Sequence, residues 1–580
     1  MGNTNTTLSP KSIGPATISC ALLVIMTVGM PAHTLWAGTP STAPIFKQDQ
    51  ADYQNAVWQY SVPVGNDPYR RAYLWIPQKC KRVRGLIIGI QNMLEQPMFE
   101  DPTIRQAASD CGLGIVWITP GDDAGQPPML HHYDPFTDST QQILKALNDL
   151  AAESGYAEIE NAPLIATAHS AATPFVWGIA DALPSRMIAI FPYKGWFTGH
   201  LTSNIPAFHT GSEYGEVGGV NWGETYLKDR REIERLRNDG PVDDKLIGDF
   251  VTIGSGHFEW DPEAASVVAM FIRKVVKARI PADEPMTGPV SLNPIDPKSG
   301  WLIDPDKLGT PTCIPVPYSQ WTGDPKTGLW YIDREMAQTA NDYMVERFAK
   351  KPQVIDFTDD AGNPLPLING GNPNLTANFL PDGVTFKVSA TYLNQSPIAN
   401  LYGGAAVGHS SAPILFKAGS GALRQTGPDT FQVWMWRGGV VQQGSPWDPW
   451  VIAYSEGDNE YRRADRPGHP WVVADNKAGT PQTVTFPKID DLSIDSHGRV
   501  KNITLHASSG SGLPVQFYVV SGPVVLKDDN TTLQFLPIPP RTKFPMRVVV
   551  GAYQWGKVTD PKVQSALPVI QEFYIQKTVK

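Results

Sequence analysis

Pro163-Leu-Ile-Ala-Thr-Ala-His-Ser170-Ala-Ala-Thr-Pro-Phe-Val-Trp-Gly178 is the stretch on which the reading of this chain turns. Leu164, Ile165 and Ala166 form a short apolar run suited to a buried strand, and Thr173 to Ala182 has the pattern of a helix packed behind it. Between them stands Ala168-His169-Ser170-Ala171-Ala172. A serine on a sharp strand-to-helix turn needs small residues two before and two after it, because larger side chains collide where the backbone doubles back. The alanines at those two places are the smallest departure from the glycines of the G-x-S-x-G pattern. The competing reading is a serine that caps an ordinary buried helix, since serine is a common N-cap.

Upstream and downstream of this stretch, strand and helix patterns alternate. Val57 to Val64 and Arg71 to Pro77, parted by Gly65-Asn66-Asp67-Pro68, predict a hairpin. Gly85 to Ile90 and Gly114 to Pro120 read as strands, with a helix over Pro102 to Asp110 between them. The Thr140 to Ser154 segment carries Ile143, Leu144, Leu147 and Leu150 at helical spacing. After Ser170 come strands over Met187 to Phe191, Pro206 to His209 and Asp249 to Ile253, and helices over Glu224 to Asn238 and Pro262 to Lys277. This order predicts an α/β domain with an open, mostly parallel sheet covered on both faces.

Composition bounds the alternatives. At 580 residues the chain is long enough for three or four domains of ~150 residues each. Hydrophobic residues make up 41% and charged residues 18%, as in a folded globular protein. The 17 Trp, 19 Tyr and 53 Pro favour β-rich surfaces with aromatic platforms over a helical protein. The net charge is -9 with no long basic run, so nothing would neutralise a row of phosphates and nucleic acid is not an expected partner.

At the N-terminus, Lys11 precedes the apolar segment Ile18 to Met30, followed by Pro31 and small or polar residues up to Ala37. Residues 1–37 read as a secretory signal peptide, since the apolar run is shorter than the ~20 residues of a spanning helix. The start also fits a myristoylation pattern, discounted because an export signal follows at once. The mature protein is therefore expected to be secreted or periplasmic, with no membrane insertion after cleavage. Of four cysteines, Cys20 leaves with the signal, and Cys80, Cys111 and Cys313 remain. Cys80 closes one predicted strand and Cys111 precedes another, which makes them the candidate disulfide in an oxidising compartment. Their spacing does not suggest a metal site.

Beyond Pro281 the pattern changes. Pro285 to Pro317 is rich in Pro, Gly and Asp and reads as a linker or an extended segment laid on a neighbouring domain. A helix is expected over Glu335 to Ala349, then short β-branched and aromatic segments to about Val473, and from Val484 onward some seven short alternating strands that suggest a sandwich. The expected division is 45–284, 285–480 and 481–580.

By element order and motif placement, Val57 to Ile280 resembles the α/β-hydrolase superfamily, with a secreted serine esterase as the implied activity. The final hundred residues resemble bacterial immunoglobulin-like modules, through Ala507 to Val515 and Ser521-Gly522-Pro523. The first resemblance implies a catalytic Ser170, a catalytic histidine at His257 in Gly254-Ser-Gly-His257-Phe after the last strand, and an acid in the loop Thr210-Gly-Ser-Glu213-Tyr-Gly-Glu216. Glu213 is the first choice for the acid and Glu216 the second, whereas Asp249 starts a strand and is badly placed.

The same resemblance implies oxyanion N-H donors at Ala171 and at Asn92 or Met93. Gln91-Asn92-Met93 stands where an HGGG-type loop would be, without its glycines. His131, His132, His200 and His209 are further pocket candidates, with a polar surface loop the plainer reading for the first pair. No cofactor is implied. The expected substrate is an ester, carbohydrate-linked on the strength of the aromatic content. The missing elbow glycines keep open a second reading, a secreted or cell-surface binding protein on a hydrolase scaffold.

Overall fold

The computed structural model describes residues 57–65, 70–119, 139–195, 201, 204–213, 225–239, 244–283, 288–368, 371–396, 405–435, 437, 449–472 and 475–577. Residues 1–37, read above as a signal peptide, lie outside them. Ile45–Lys580 forms one compact unit.

An eight-stranded sheet organises the first half. Its strands are β1 (Tyr60–Pro63), β2 (Arg71–Trp75), β3 (Gly85–Ile90), β4 (Leu113–Ile118), β5 (Leu164–His169), β6 (Met187–Tyr193), β7 (Ala207–Ser212) and β8 (Ile247–Thr252). Their order is β1-β2-β4-β3-β5-β6-β7-β8. The hairpin strand β2 joins β4 antiparallel, and every pairing from β4 through β8 is parallel. Parallel strands covered on both faces are apolar throughout, and β4, β5 and β6 are buried along their whole length.

Helices cover the sheet: α1 (Glu95–Glu100), α2 (Pro102–Cys111), α3 (Ser139–Ser154), α4 (Thr173–Ala182), α5 (Thr225–Asn238) and α6 (Pro262–Arg279). Proline opens α2 and α6 one residue after an aspartate cap, Asp101 and Asp261, whose carboxylates accept first-turn N-H groups. Gly112, at φ 70°, ends α2 in the left-handed conformation that glycine adopts without strain.

Helix α1 has no counterpart in the sequence reading. All six of its residues are buried, Glu95, Gln96 and Glu100 among them. Glu100 accepts from the Trp58 indole at 2.7 Å and from Gln96 Nε2 at 3.2 Å, and Glu95 holds a loop described below. Such polar letters mark a helix as solvent-facing, whereas here each has an interior partner that offsets its burial.

Within the Pro285 to Pro317 segment, the described residues begin at 288. Its strand β9 (Trp301–Ile303) pairs with β10 (Val316–Pro317) and β11 (Leu329–Tyr331), and Leu302 and Trp330 pack on Leu246 beside β8. The expected helix follows as α7 (Arg334–Phe348), capped by Asp333.

Among the described residues the rest is made of small, mostly antiparallel sheets, including one that pairs Leu415–Ser420, Trp450–Ser455 and Ala464–Gly468. Near the C-terminus, Leu492–Ser493, Gln516–Ser521, Met546–Gln554 and Ala566–Gln576 form a four-stranded sheet. This end packs back on β1: Ser61 Oγ donates to Ser521 Oγ at 2.9 Å, and Trp58 bridges Gly522. Among the described residues, no helix is long and apolar enough to cross a membrane.

Candidate active site

Strand β5 ends at His169, and the chain enters a single 3-10 turn, Ser170–Ala172, before α4 begins. Ser170 takes φ 52°, a value that L-residues other than Asn and Asp rarely adopt. Such a conformation persists only where the surroundings impose it. Ala168 and Ala172 are fully buried, and the carbonyl of Ser170 accepts from Thr173 Oγ1 at 2.7 Å. On the far side of the turn a Cβ on Gly195 would lie 2.2 Å from Thr173 Cγ2 and 2.8 Å from the Ser170 carbonyl, so the β6 exit closes on the turn only as glycine.

His257 reaches this turn from the loop that follows β8. Its Nε2 lies 2.8 Å from Ser170 Oγ. Burial, with the nearby Lys194 ammonium as a second cause, pushes the imidazole down to about 3. The ring is therefore neutral across the physiological range, and the serine hydroxyl donates to it. Phe258 stands edge-on to the His257 ring at 4.7 Å.

The residue before the serine also acts on this loop. His169 is buried, and burial, reinforced by His257, holds its ring neutral with a value well below the usual range. Its Nε2-H donates to the His257 carbonyl at 3.0 Å. That leaves Nδ1 as an acceptor, 3.4 Å from Asn92 Nδ2, which also donates to the His169 carbonyl at 3.1 Å.

The Asn92 and Met93 N-H groups do not serve as the expected oxyanion donors. Both donate to Glu95 Oε2, at 2.7 and 3.0 Å, while Glu95 Oε1 accepts the His169 N-H at 2.5 Å. The reason is local: the loop turns directly into α1, and its first carboxylate folds back on the amides just before it. Burial raises the Glu95 carboxyl to about 7 despite these donors. Ala171 keeps its place directly after Ser170, in the 3-10 turn.

Glu213 lies just past β7, buried, and meets the His257 loop three residues before the histidine: its Oε2 accepts the Gly254 N-H at 2.7 Å. The same carboxylate is ion-paired with Arg462. Glu216 lies outside the described residues, as do His131, His132 and His200. His209 is buried in β7, its Nδ1 3.0 Å from Asp249 Oδ1, and Arg230 Nε holds the other oxygen of Asp249 at 3.2 Å. Burial opposes protonation of His209, but the Asp249 hydrogen bond together with the Asp229 and Asp249 charges and the Gly195 backbone raises the ring. Asp249 is thus committed to an internal pair on β8.

The Cys80–Cys111 disulfide is likewise absent. Cys80, Cys111 and Cys313 are buried free thiols. Cys80 Sγ donates to the Arg82 carbonyl at 2.9 Å, and Cys111 closes α2 against the core. Burial raises all three thiols, Cys111 and Cys313 to about 11. Among the described residues no group of three or more His, Cys, Asp or Glu could hold a metal ion.

Solved structures are similar to part of the chain. The esterase PE8 is 14% identical, covering 37% of this chain and 100% of its own, with a TM-score of 0.26. The S-formylglutathione hydrolase from Agrobacterium tumefaciens is 10% identical over 38% and 93%, with a TM-score of 0.28. The poly(3-hydroxybutyrate) depolymerase LpqC from Bordetella parapertussis is 16% identical over 37% and 90%, with a TM-score of 0.27. No family model and no curated protein matches the chain. The scaffold is read from the chain's own topology. A serine turn after β5 and a histidine loop after β8 of a mostly parallel sheet resemble the α/β-hydrolase arrangement.

Sequence reasoning missed the charged groups around the His257 loop. Lys194, at the end of β6, is buried and donates to Ser255 Oγ at 3.0 Å and to the carbonyls of Gly256 and Glu259 at 2.6 and 2.7 Å. Burial pulls its ammonium down to about 8, against the pull of Asp465 and Glu259. Arg462, Arg463 and Asp465 arrive from some two hundred residues downstream. The visible signal was Tyr461-Arg-Arg-Ala-Asp-Arg466, a dense charge run entering a β segment.

Proposed function

We propose that this protein is a secreted serine hydrolase that cleaves carboxylic esters. The observation that carries the reading is the 2.8 Å approach of His257 Nε2 to Ser170 Oγ on a turn held at positive φ. Ser170 Oγ attacks the ester carbonyl carbon while its proton passes to His257 Nε2. The tetrahedral intermediate collapses, the C-O bond to the leaving alcohol breaks, and the imidazolium returns the proton to that alcohol. Water, deprotonated by the same nitrogen, then releases the acid and restores the serine. The Ala171 N-H supports the oxyanion. The carboxylate that orients His257 is Glu213, with Glu216 as the second candidate.

The substrate reading is an acyl ester on polysaccharide. Its support is a row of rings leading away from His257: Phe258 stacks on Trp450 at 4.1 Å, Trp450 meets His469, and His469 meets the exposed Trp471. Flat aromatic faces suit sugar rings. The last hundred residues are read as an immunoglobulin-like sandwich appended to the hydrolase.

A fluorophosphonate probe tests the chemistry. Wild-type protein is expected to label and Ser170→Ala to remain unlabelled; folded wild-type protein that stays unlabelled removes the enzymatic reading. Acetyl, feruloyl and glucuronoyl esters set against aliphatic polyesters test the substrate, and turnover of the polyesters alone refutes the carbohydrate version. One observation favours the other reading, a binding protein on this scaffold: the Asn92 and Met93 N-H groups are already taken by Glu95.

A further inference from the structure

We propose that the β-rich second half supplies a clamp that positions the catalytic histidine, with Asp465 and Arg463 as its positioning residues. Seen this way, that half is a component of the active site in addition to any part in substrate contact. The inference rests on the serine-hydrolase reading for its catalytic meaning and on the loop's own geometry for its structure.

The loop Gly254–Glu259 has neither ladder nor helix to pair its backbone, and it is buried. Buried peptide groups need partners, and here side chains, most of them ionisable, provide them. The Gly254 N-H goes to Glu213, which is itself held by Arg462. The Gly254 carbonyl accepts from Arg463 Nη1 at 3.3 Å. The Gly256 N-H is shared by both oxygens of Asp465, at 3.0 and 2.9 Å. The carbonyls of Gly256 and Glu259 take Lys194, and that of His257 takes His169.

The side chain of Glu259 closes the set. Arg463 donates to its two oxygens at 2.8 and 2.5 Å, and Lys417 pairs with it as well. Asp465 also lies 3.4 Å from Arg463 Nη1. Lys417, Arg462, Arg463 and Asp465 all belong to the β-rich half, so four of the groups that fix the loop come from outside the α/β sheet. Contact is close enough that a Cβ on Gly254 would lie 2.2 Å from the Arg463 carbonyl oxygen.

This arrangement has a functional consequence. A catalytic base displaced by about 1 Å can cost roughly a hundredfold in rate. The Gly256 N-H is held by Asp465 and the carbonyls of Gly256 and Glu259 by Lys194, with Ser255 Oγ at 3.5 Å and the Tyr193 hydroxyl at 3.2 Å as further donors to those two carbonyls, so loosening Asp465 moves the imidazole relative to Ser170 without touching the substrate side of the site. Asp356 provides the internal control. It forms a buried pair with Arg466 at 3.0 Å in the same β-rich half, and the pair's further partners, the Phe357 N-H and the Gly371 carbonyl, lie outside the loop.

The test uses the full chain. Asp465→Ala is expected to lower kcat and the fluorophosphonate labelling rate together by about 10- to 100-fold with KM within about twofold, and to speed amide hydrogen exchange across Gly254–Trp260. Asp465→Asn keeps one acceptor for Gly256 and should lie between Asp465→Ala and wild type; it also serves if Asp465→Ala does not fold. Asp356→Asn should lower stability and leave the labelling rate and loop exchange unchanged. Wild-type labelling and loop exchange in both Asp465 variants overturn the clamp, as does an equal effect from Asp356→Asn. If wild-type protein does not label, the hydrolase reading falls and loop exchange alone decides whether the clamp exists.

Discussion

Two loops frame Ser170, and they are held in opposite ways. The loop after β3 is held from within: Glu95 binds the amides of Asn92 and Met93, three and two residues before it, and that of His169 at the end of the neighbouring strand. The loop after β8 is held from afar, by Asp465 and Arg463, more than two hundred residues later in the chain. A short-range carboxylate can form its contacts as soon as the local turn forms. A long-range clamp forms only once both halves have folded and met, so the His257 loop is set in place by the completed tertiary structure.

The most damaging way to break the distant hold is to strip Arg462 from Glu213. Removing one partner of a buried ion pair leaves an uncompensated charge, and Arg462→Ala should cost about 3–5 kcal/mol in urea unfolding. The local hold is expected to be less costly to disturb. Glu95→Gln removes one acceptor oxygen from a site that serves three N-H donors, and about 1–3 kcal/mol should be lost by the same measurement. A change in labelling rate in this variant would show that the freed amides bear on the oxyanion.

Gly254→Ala touches the distant hold at its tightest point. The left-handed backbone, φ 76°, alone costs an alanine about 1–2 kcal/mol, and the contact with Arg463 must also open. Slower labelling is expected, with the thermal midpoint lowered.

The last effect is on pH. His257 has its folded value lowered to about 3 from an ordinary 6.5, so the folded state binds fewer protons than the unfolded chain between those limits. The stability it contributes is present above pH 6.5 and is lost as pH falls toward 3. The acid limb of the labelling rate should accordingly fall below pH 6.5. A limb at or above 6.5 would mean that a carboxylate restores the ring's basicity, and Glu213→Gln against Glu216→Gln would identify which one.

How much was legible in the sequence differs between these regions for one reason. Apolar periodicity reports burial, and the α/β half is built from strands such as Gly85–Ile90 and Met187–Tyr193 whose burial is apolar. Helix α1 escaped because its Glu95, Gln96 and Glu100 are buried polar groups, which periodicity counts as exposed. The Cys80 and Cys111 pairing failed on similar grounds, since proximity to strands does not fix where two sulfurs point.

The sequence by itself determined the alternation of strands and helices, the serine at a tight turn, and a histidine after the last strand of the sheet. These follow from local pattern and chain order. Tertiary structure alone decided that His257 Nε2 stands 2.8 Å from Ser170 Oγ, that Glu95 takes the amides expected for an oxyanion, and that Asp465 and Arg463 seize the histidine loop. Those outcomes depend on which buried polar groups find partners across long stretches of chain. Partner choice of that kind is a property of the packed interior and leaves no periodic trace in the sequence.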